Sequence, residues 1–214
     1  MASATRTWGA RRRGAGRKPT PGRRPGVPHR RRGPHDARCP AHATLRVRPG
    51  LPSLRGTRLF VAVRYALAGA SGTRFRVLQF SVQRDHLHVV VEADEPTGLA
   101  RGLQGLAIRV AKAINRTLGR RGTVWGDRYH ARTLGTPREV RSALVYVLNN
   151  WRNHVRGARG VDPRSSAAWF DGWRTAIDRP AGRPPVAAAR GWLARTGWRR
   201  YGPIDVREMP RPGR

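Results

Sequence analysis

Residues 75–94 read FRVLQFSVQRDHLHVVVEAD. Two runs rich in β-branched and aromatic residues, 75–82 and 86–93, flank the short polar gap Gln83-Arg84-Asp85. That pattern predicts two strands paired as a tight antiparallel hairpin. The second strand opens with His86 and His88, two of the chain's seven histidines. Side chains two apart on a strand leave from one face, about 7 Å apart at Cα. Both imidazoles can therefore serve one point on the sheet.

Upstream of the hairpin, HATLRV (42–47) alternates and predicts a short strand. SLRGTRLFVAVRYALAGAS (53–71) spaces Leu54, Leu59, Val63 and Leu67 as one helical stripe, with Ser53 in the N-cap position. Tyr65 on this helix is read as packing. Downstream, TGLARGLQGLAIRVAKAINRTLG places Leu99, Leu103, Leu106, Val110, Ile114 and Leu118 on one stripe of a long helix. TVWGDRYHARTL reads as a loop entering a fourth strand. TPREVRSALVYVLNNWRNHV opens with Thr136, Pro137 and Glu139, an N-cap, a first-turn proline and a capping-box acid. The order β-α-β-β-α-β-α predicts an α+β, ferredoxin-like (RRM-like) split βαβ fold. It has a four-stranded antiparallel sheet and an added helix that can cross the open face.

Charge sets the expected partner. The 214 residues carry 44 Lys and Arg against 12 acids, a net charge of +32. Such a chain attracts polyanions, and nucleic acid leads among them because neutralised phosphates release counterions. Part of the arginine excess reflects GC-rich coding, which changes its size but not its sign. The hydrophobic fraction is 38%, so some of the chain stays outside a core. Residues 1–38 read as a disordered basic arm, 39–158 as the folded domain and 159–214 as a Trp- and Pro-rich extension with one short helix, PVAAARGWLART. One cysteine, Cys39, excludes an intramolecular disulfide and a Cys-rich zinc site. No apolar run is long enough for a membrane span, and the N-terminus lacks a signal-peptide core. A membrane partner is not expected, and the cytoplasm is the expected compartment.

Two histidines on one strand face need a further ligand to make a divalent-metal site. Asn150 lies on the capped last helix, and Tyr146 is one turn before it on the same face. A tyrosine hydroxyl beside a metal-bound phosphate can attack phosphorus and leave a phosphotyrosine and a 3′ hydroxyl. Tyr129 is the second candidate nucleophile, and Glu92, on the face of both histidines, the second candidate ligand. On spacing alone the same residues also read as two ordinary hairpin histidines and a half-buried helix aromatic. Arg116, Arg120, Arg121, Arg128, His130 and Arg132 form a candidate phosphate track, with Arg128, His130 and Arg132 alternating on the fourth strand. Trp125 and Tyr129 either stack on unpaired bases or pack inside.

Three stretches carry a resemblance. DHLHVVVEA resembles the histidine–hydrophobe–histidine motif of HUH single-tyrosine transposases, the IS200-like group. AINRTLGRRGTVWGDRYHAR resembles their Asn-to-Arg-Tyr segment, including that of the REP-associated tyrosine transposases. ALVYVLNNWRNH resembles the helix that carries their tyrosine. The likeness spans roughly residues 40–157. It implies a metal-dependent enzyme that cleaves and rejoins single-stranded or hairpin DNA through a 5′-phosphotyrosine, in a bacterial, nucleoid-associated setting. It implies His86, His88 and Asn150 as ligands for Mg²⁺ or Mn²⁺ and Tyr146 as nucleophile. Trp151 stands where the family has proline after the asparagine, and Asp85 where it has asparagine before the first histidine. Relatives occur as helix-exchanged dimers and as monomers, so both states stay open. The rival reading is a non-catalytic, domesticated DNA- or RNA-binding protein with an RRM-like sheet. The strands lack an aromatic RNP-type signature, which counts against it.

Overall fold

The computed structural model describes residues 35–153, 155 and 157–210. The first 34 residues of the expected arm therefore lie outside the described residues. Strand β1 (Ala41–Arg46) leads into helix α1 (Thr57–Ala68) and then the hairpin strands β2 (Phe75–Val82) and β3 (His86–Ala93). Helix α2 (Gly98–Thr117), strand β4 (His130–Thr133) and helix α3 (Pro137–Asn149) follow. The strands stand in the order β2-β3-β1-β4, and every neighbouring pair is antiparallel. This is the ferredoxin-like α+β sheet that the element order implies.

The apolar run of β3 is unbroken because both faces of the sheet are covered. On one face Leu87, Val89, Val91 and Ala93 join Ala41, Ala43 and Leu45 of β1 under α1 and α2, against Leu59, Val63, Leu103, Val110 and Ile114. On the other, Val90 and Leu78 meet Val140, Leu144 and Val147 of α3. Leu78 reaches that second core through an irregularity in β2, where the register shifts between Val77 and Gln79. Each such side chain is worth about 1.5–3 kcal/mol when fully buried. The two cores therefore fix the register, since a slip of one residue would exchange them. Helix α2 meets β2 closely at Gly102, where a Cβ would lie 2.1 Å from the Phe75 ring.

Helix α3 starts as the sequence predicts. Thr136 Oγ1 accepts from the Glu139 N–H at 3.2 Å, and the Glu139 carboxylate accepts from the Thr136 N–H at 3.1 Å. Helix α1 differs from expectation. It begins at Thr57 behind Gly56, and Ser53 caps no helix. Leu54 is buried ahead of the helix and donates its N–H to Arg84 O in the hairpin turn. Tyr65, read as packing, is 70% exposed on the outer side of α1. The buried positions 59, 60, 63, 66 and 67 set the inner stripe, and residue 65 falls outside it.

The extension folds back over α3 and the β2 edge. Ala167, Phe170, Trp173, Leu193, Trp198 and Ile204 complete the second core. Ser166 donates its N–H to Phe80 O, Ala187 to Val77 O, and Val82 donates to Arg164 O, so the β2 edge is hydrogen-bonded. Only Trp192–Arg195 of the expected helix in 185–196 is helical, the element α4. The segment before it is not helical, because Ala187 gives its N–H to the sheet edge and a buried acid takes those of Arg190 and Gly191. Glu92 accepts from Arg190 N at 2.9 Å and Gly191 N at 3.1 Å, and pairs with Arg76.

Candidate active site

The register gathers polar side chains on the α3 face of the sheet. On β3, His86 stands opposite Arg46 of β1 and His88 opposite Thr44. Thr44 is opposite His130 of β4, and His42 is opposite Arg132. His86, His88, Thr44, His42, His130 and Arg132 therefore share one face, because paired residues project together.

The two imidazoles of the hairpin converge. His86 Nε2 and His88 Nε2 are 3.0 Å apart, with ring centroids at 4.7 Å. Each ring is held from behind through its other nitrogen. His86 Nδ1 lies 2.6 Å from the Asp85 carboxylate. His88 Nδ1 lies 3.1 Å from Thr44 Oγ1 and 3.2 Å from His42 Nε2. A carboxylate only accepts, so Asp85 keeps the His86 proton on Nδ1 and leaves a lone pair on Nε2. Arg46 in turn pairs with Asp85. Partial burial works against the charged form of Asp85, but the bond to His86 and the charges of His86 and Arg46 outweigh it. Its carboxyl therefore sits below the ordinary range.

His42 is neutral at physiological pH. Burial, then the charges of His130 and Arg132, hold it down at about 4. Sequence reading passed over His42 and Thr44. The alternation of HATLRV placed them on one face, but only the long-range pairing of β1 with β3 brings them to His88.

Helix α3 crosses this face and delivers Tyr146 to it. The Tyr146 ring centroid lies 5.0 Å from that of His88 and 5.6 Å from that of His42. The helix is clamped from its outer side. The Arg141 guanidinium pairs with Glu208, and Asn149 Nδ2 donates to Asp205 O and Glu208 O at 3.1 and 2.9 Å. Asn150 is buried one turn after Tyr146 and starts a 3₁₀ turn over Asn150–Asn153. Its Oδ1 accepts from Asn153 Nδ2 at 3.3 Å.

The pair fits a divalent cation by its donor chemistry. Adjacent ligands on an octahedral ion with bonds of about 2.1 Å are about 3.0 Å apart, and the Nε2 atoms have that separation. Orienting partners on both Nδ1 atoms are what metal-binding imidazoles need. Among the described residues, no group of three or more His, Cys, Asp or Glu side chains is set to hold a metal ion. A cation here would thus complete its shell with an amide, a phenol, water or substrate oxygen. Glu92 does not join this site, being spent on Arg76 and the extension.

The basic residues do not form one row. His130 and Arg132 lie on the histidine face, and Arg132 pairs with Glu139 at 2.6 Å. Arg128 precedes β4 instead of lying on it, and is exposed. Arg116 lines a groove between α1 and α2 with Tyr65, Arg109 and Lys112, on the other side of the sheet. Arg121 is exposed, whereas Arg120 donates to Asn115 Oδ1 at 2.9 Å and Thr123 O. Trp125 donates Nε1 to Ala107 O at 3.0 Å, and both Trp125 and Tyr129 pack against the first core.

The antiparallel split βαβ sheet thus carries a histidine pair with a tyrosine helix laid over it. Residues 64–150 match the family model described as transposase, IS200 like. Over those residues the chain is thus similar to the IS200-like transposases. The fold is also similar to the solved structure of a REP-associated tyrosine transposase bound to a REP hairpin. The two share 17% identity over 60% of this chain and 74% of that one, with a TM-score of 0.49. No curated protein matches the chain. Among the described residues, no helix is long and apolar enough to cross a membrane.

Proposed function

We propose that this protein is a metal-dependent single-strand DNA nickase and strand transferase that works through a 5′-phosphotyrosine on Tyr146. The observation that carries the reading is the convergence, within one chain, of His86 Nε2 and His88 Nε2 at 3.0 Å with the Tyr146 ring 5.0 Å from His88. The match of residues 64–150 to the IS200-like transposase model supports this reaction class, and the net charge of +32 suits a phosphate-rich substrate.

His86 and His88 would hold Mg²⁺ or Mn²⁺ through Nε2, with Asn150 as the proposed third ligand. Bound there, the ion supplies Lewis acidity to the phosphoryl oxygens of the scissile phosphate. Asp85 and Thr44 keep the two lone pairs pointed forward. The phenol of Tyr146 loses its proton as its oxygen bonds to phosphorus. The P–O3′ bond breaks, and the departing 3′ oxygen takes up a proton. A second 3′ hydroxyl reverses these steps and frees the tyrosine, so strands are exchanged without an external energy source. Exposed Arg121, Arg128 and His130 are the proposed phosphate contacts, with Arg116 on the far side of the sheet. DNA with an unpaired stretch next to a hairpin is the proposed substrate.

The test is nicking of end-labelled, hairpin-flanked single strands with Mg²⁺ or Mn²⁺. Wild type should nick, and His88→Ala should lose cleavage by at least about a hundredfold while retaining DNA affinity. Binding without nicking by wild type in either metal would instead support a DNA-binding protein without catalysis.

A further inference from the structure

One half-buried polar side chain at the site, His42, has no role in the scheme above. His42 lies on β1, outside the residues that match the family model, and touches both halves of the site. Its ring centroid is 5.3 Å from that of His88 and 5.6 Å from that of Tyr146, and its Nε2 is 3.2 Å from His88 Nδ1. We propose that His42, with Thr44 beside it, is a positioning residue that sets the plane and tautomer of His88 from behind and seats the Tyr146 ring. The inference rests on the reading of His86 and His88 as metal ligands and Tyr146 as nucleophile.

The tautomers give the reason. Nε2 of His86 and Nε2 of His88 face each other at 3.0 Å, so without an ion one of them carries the proton between them. Asp85 accepts only and holds the His86 proton on Nδ1. The proton between the rings then belongs to His88, and His88 Nδ1 is an acceptor. To offer Nε2 to a cation, His88 must carry its proton on Nδ1 instead. The proton lost from Nε2 to water is matched by one gained at Nδ1, so the ring stays neutral. The groups behind Nδ1 must change from donor to acceptor in the same event. A carboxylate or an ammonium could not do that. A hydroxyl can rotate and a neutral imidazole can change tautomer, and Thr44 Oγ1 and His42 Nε2 are groups of these two kinds. The same imidazole meets the Tyr146 ring at 61°, an edge contact that limits where the phenol swings.

The experiment uses full-length protein and titrates Mn²⁺ by calorimetry into wild type, His42→Phe, His42→Gln, Thr44→Val and His88→Ala. Single-turnover nicking, hairpin-DNA affinity and circular dichroism are measured in parallel. His42→Phe keeps the ring against Tyr146 and removes both nitrogens. It should weaken Mn²⁺ about 10–100-fold and slow nicking, with DNA affinity and fold unchanged. His42→Gln retains a donor and an acceptor and should recover most of the Mn²⁺ affinity, a rescue that a packing role would not produce. Wild-type Mn²⁺ affinity in His42→Phe, alongside its loss in His88→Ala, overturns the role of His42. Retention in His88→Ala as well means that the ligand reading itself has failed. Should His42→Phe not fold, His42→Leu, which also removes both nitrogens, decides, and unchanged Mn²⁺ affinity there overturns the proposal.

Discussion

Asp85 stands beside His86 in the sequence, yet its orienting role comes from geometry. Its carboxylate takes the Nδ1 side of His86 at 2.6 Å and so keeps the lone pair of that ring on Nε2, facing His88. Its pairing with Arg46 is half-exposed and adds little stability, about 0–1 kcal/mol. Asp85→Ala should therefore weaken Mn²⁺ about 10–100-fold with a melting temperature close to wild type, measured by calorimetry and thermal unfolding. A large fall in melting temperature with intact Mn²⁺ affinity would contradict that division. At this scale the sequence exposed the two hairpin histidines by their spacing. His42 stayed hidden because its partner lies 46 residues away, across a strand pairing that no local pattern encodes. Glu92 looked like a possible ligand for the converse reason. It shares the face of the histidines, but Arg76 and the backbone of the extension already occupy it.

Helix α3 holds the tyrosine in place, and its N-terminus is the part whose stability is easiest to perturb. Thr136→Ala removes one half of the capping box and should cost about 1 kcal/mol, measured by urea unfolding. Burial opposes the charged form of Glu139, yet the bonds from Arg132, Gly135 and Thr136 pull its pKa below the ordinary 4.5. A carboxyl depressed by folding stabilises fully above its unfolded value and loses that contribution as pH falls through its folded value. Stability should therefore decline below about pH 4.5, and Glu139→Gln should flatten that acid limb. An unchanged acid limb in the variant would show that the cap does not titrate with folding. The cap was legible because its chemistry is local, three residues from end to end. The start of α1 was not. Leu54 fits the helical stripe but is pulled to the hairpin turn by its bond to Arg84 O. The alanine-rich segment ahead of α4 fails as a helix for a similar reason, since β2 and Glu92 compete for its backbone.

The whole molecule is a two-cored sheet whose second core is shared between α3 and the extension. Deleting residues 160–214 would strip Phe170, Trp173 and Trp198 from that core and uncover the β2 edge. The truncated protein should aggregate on size exclusion, and a monodisperse, folded product would contradict the shared core. The charge of +32 governs binding at the same scale. Affinity for single strands should fall with salt at a log–log slope of about −0.7 per phosphate neutralised. Arg128→Ala should make that slope shallower by about one unit. Composition alone pointed to a polyanion partner, but the wrapping of residues 160–210 was invisible because tryptophan and proline content does not say what they pack against. The account as a whole depends on the tyrosine helix and the histidine strand forming one centre within a single chain. The most direct measurement is covalent DNA–protein adduct formation on a hairpin-flanked single strand with Mn²⁺, resolved on denaturing gels. Wild type should form the adduct and Tyr146→Phe should form none; an adduct of undiminished yield in Tyr146→Phe would contradict the central claim.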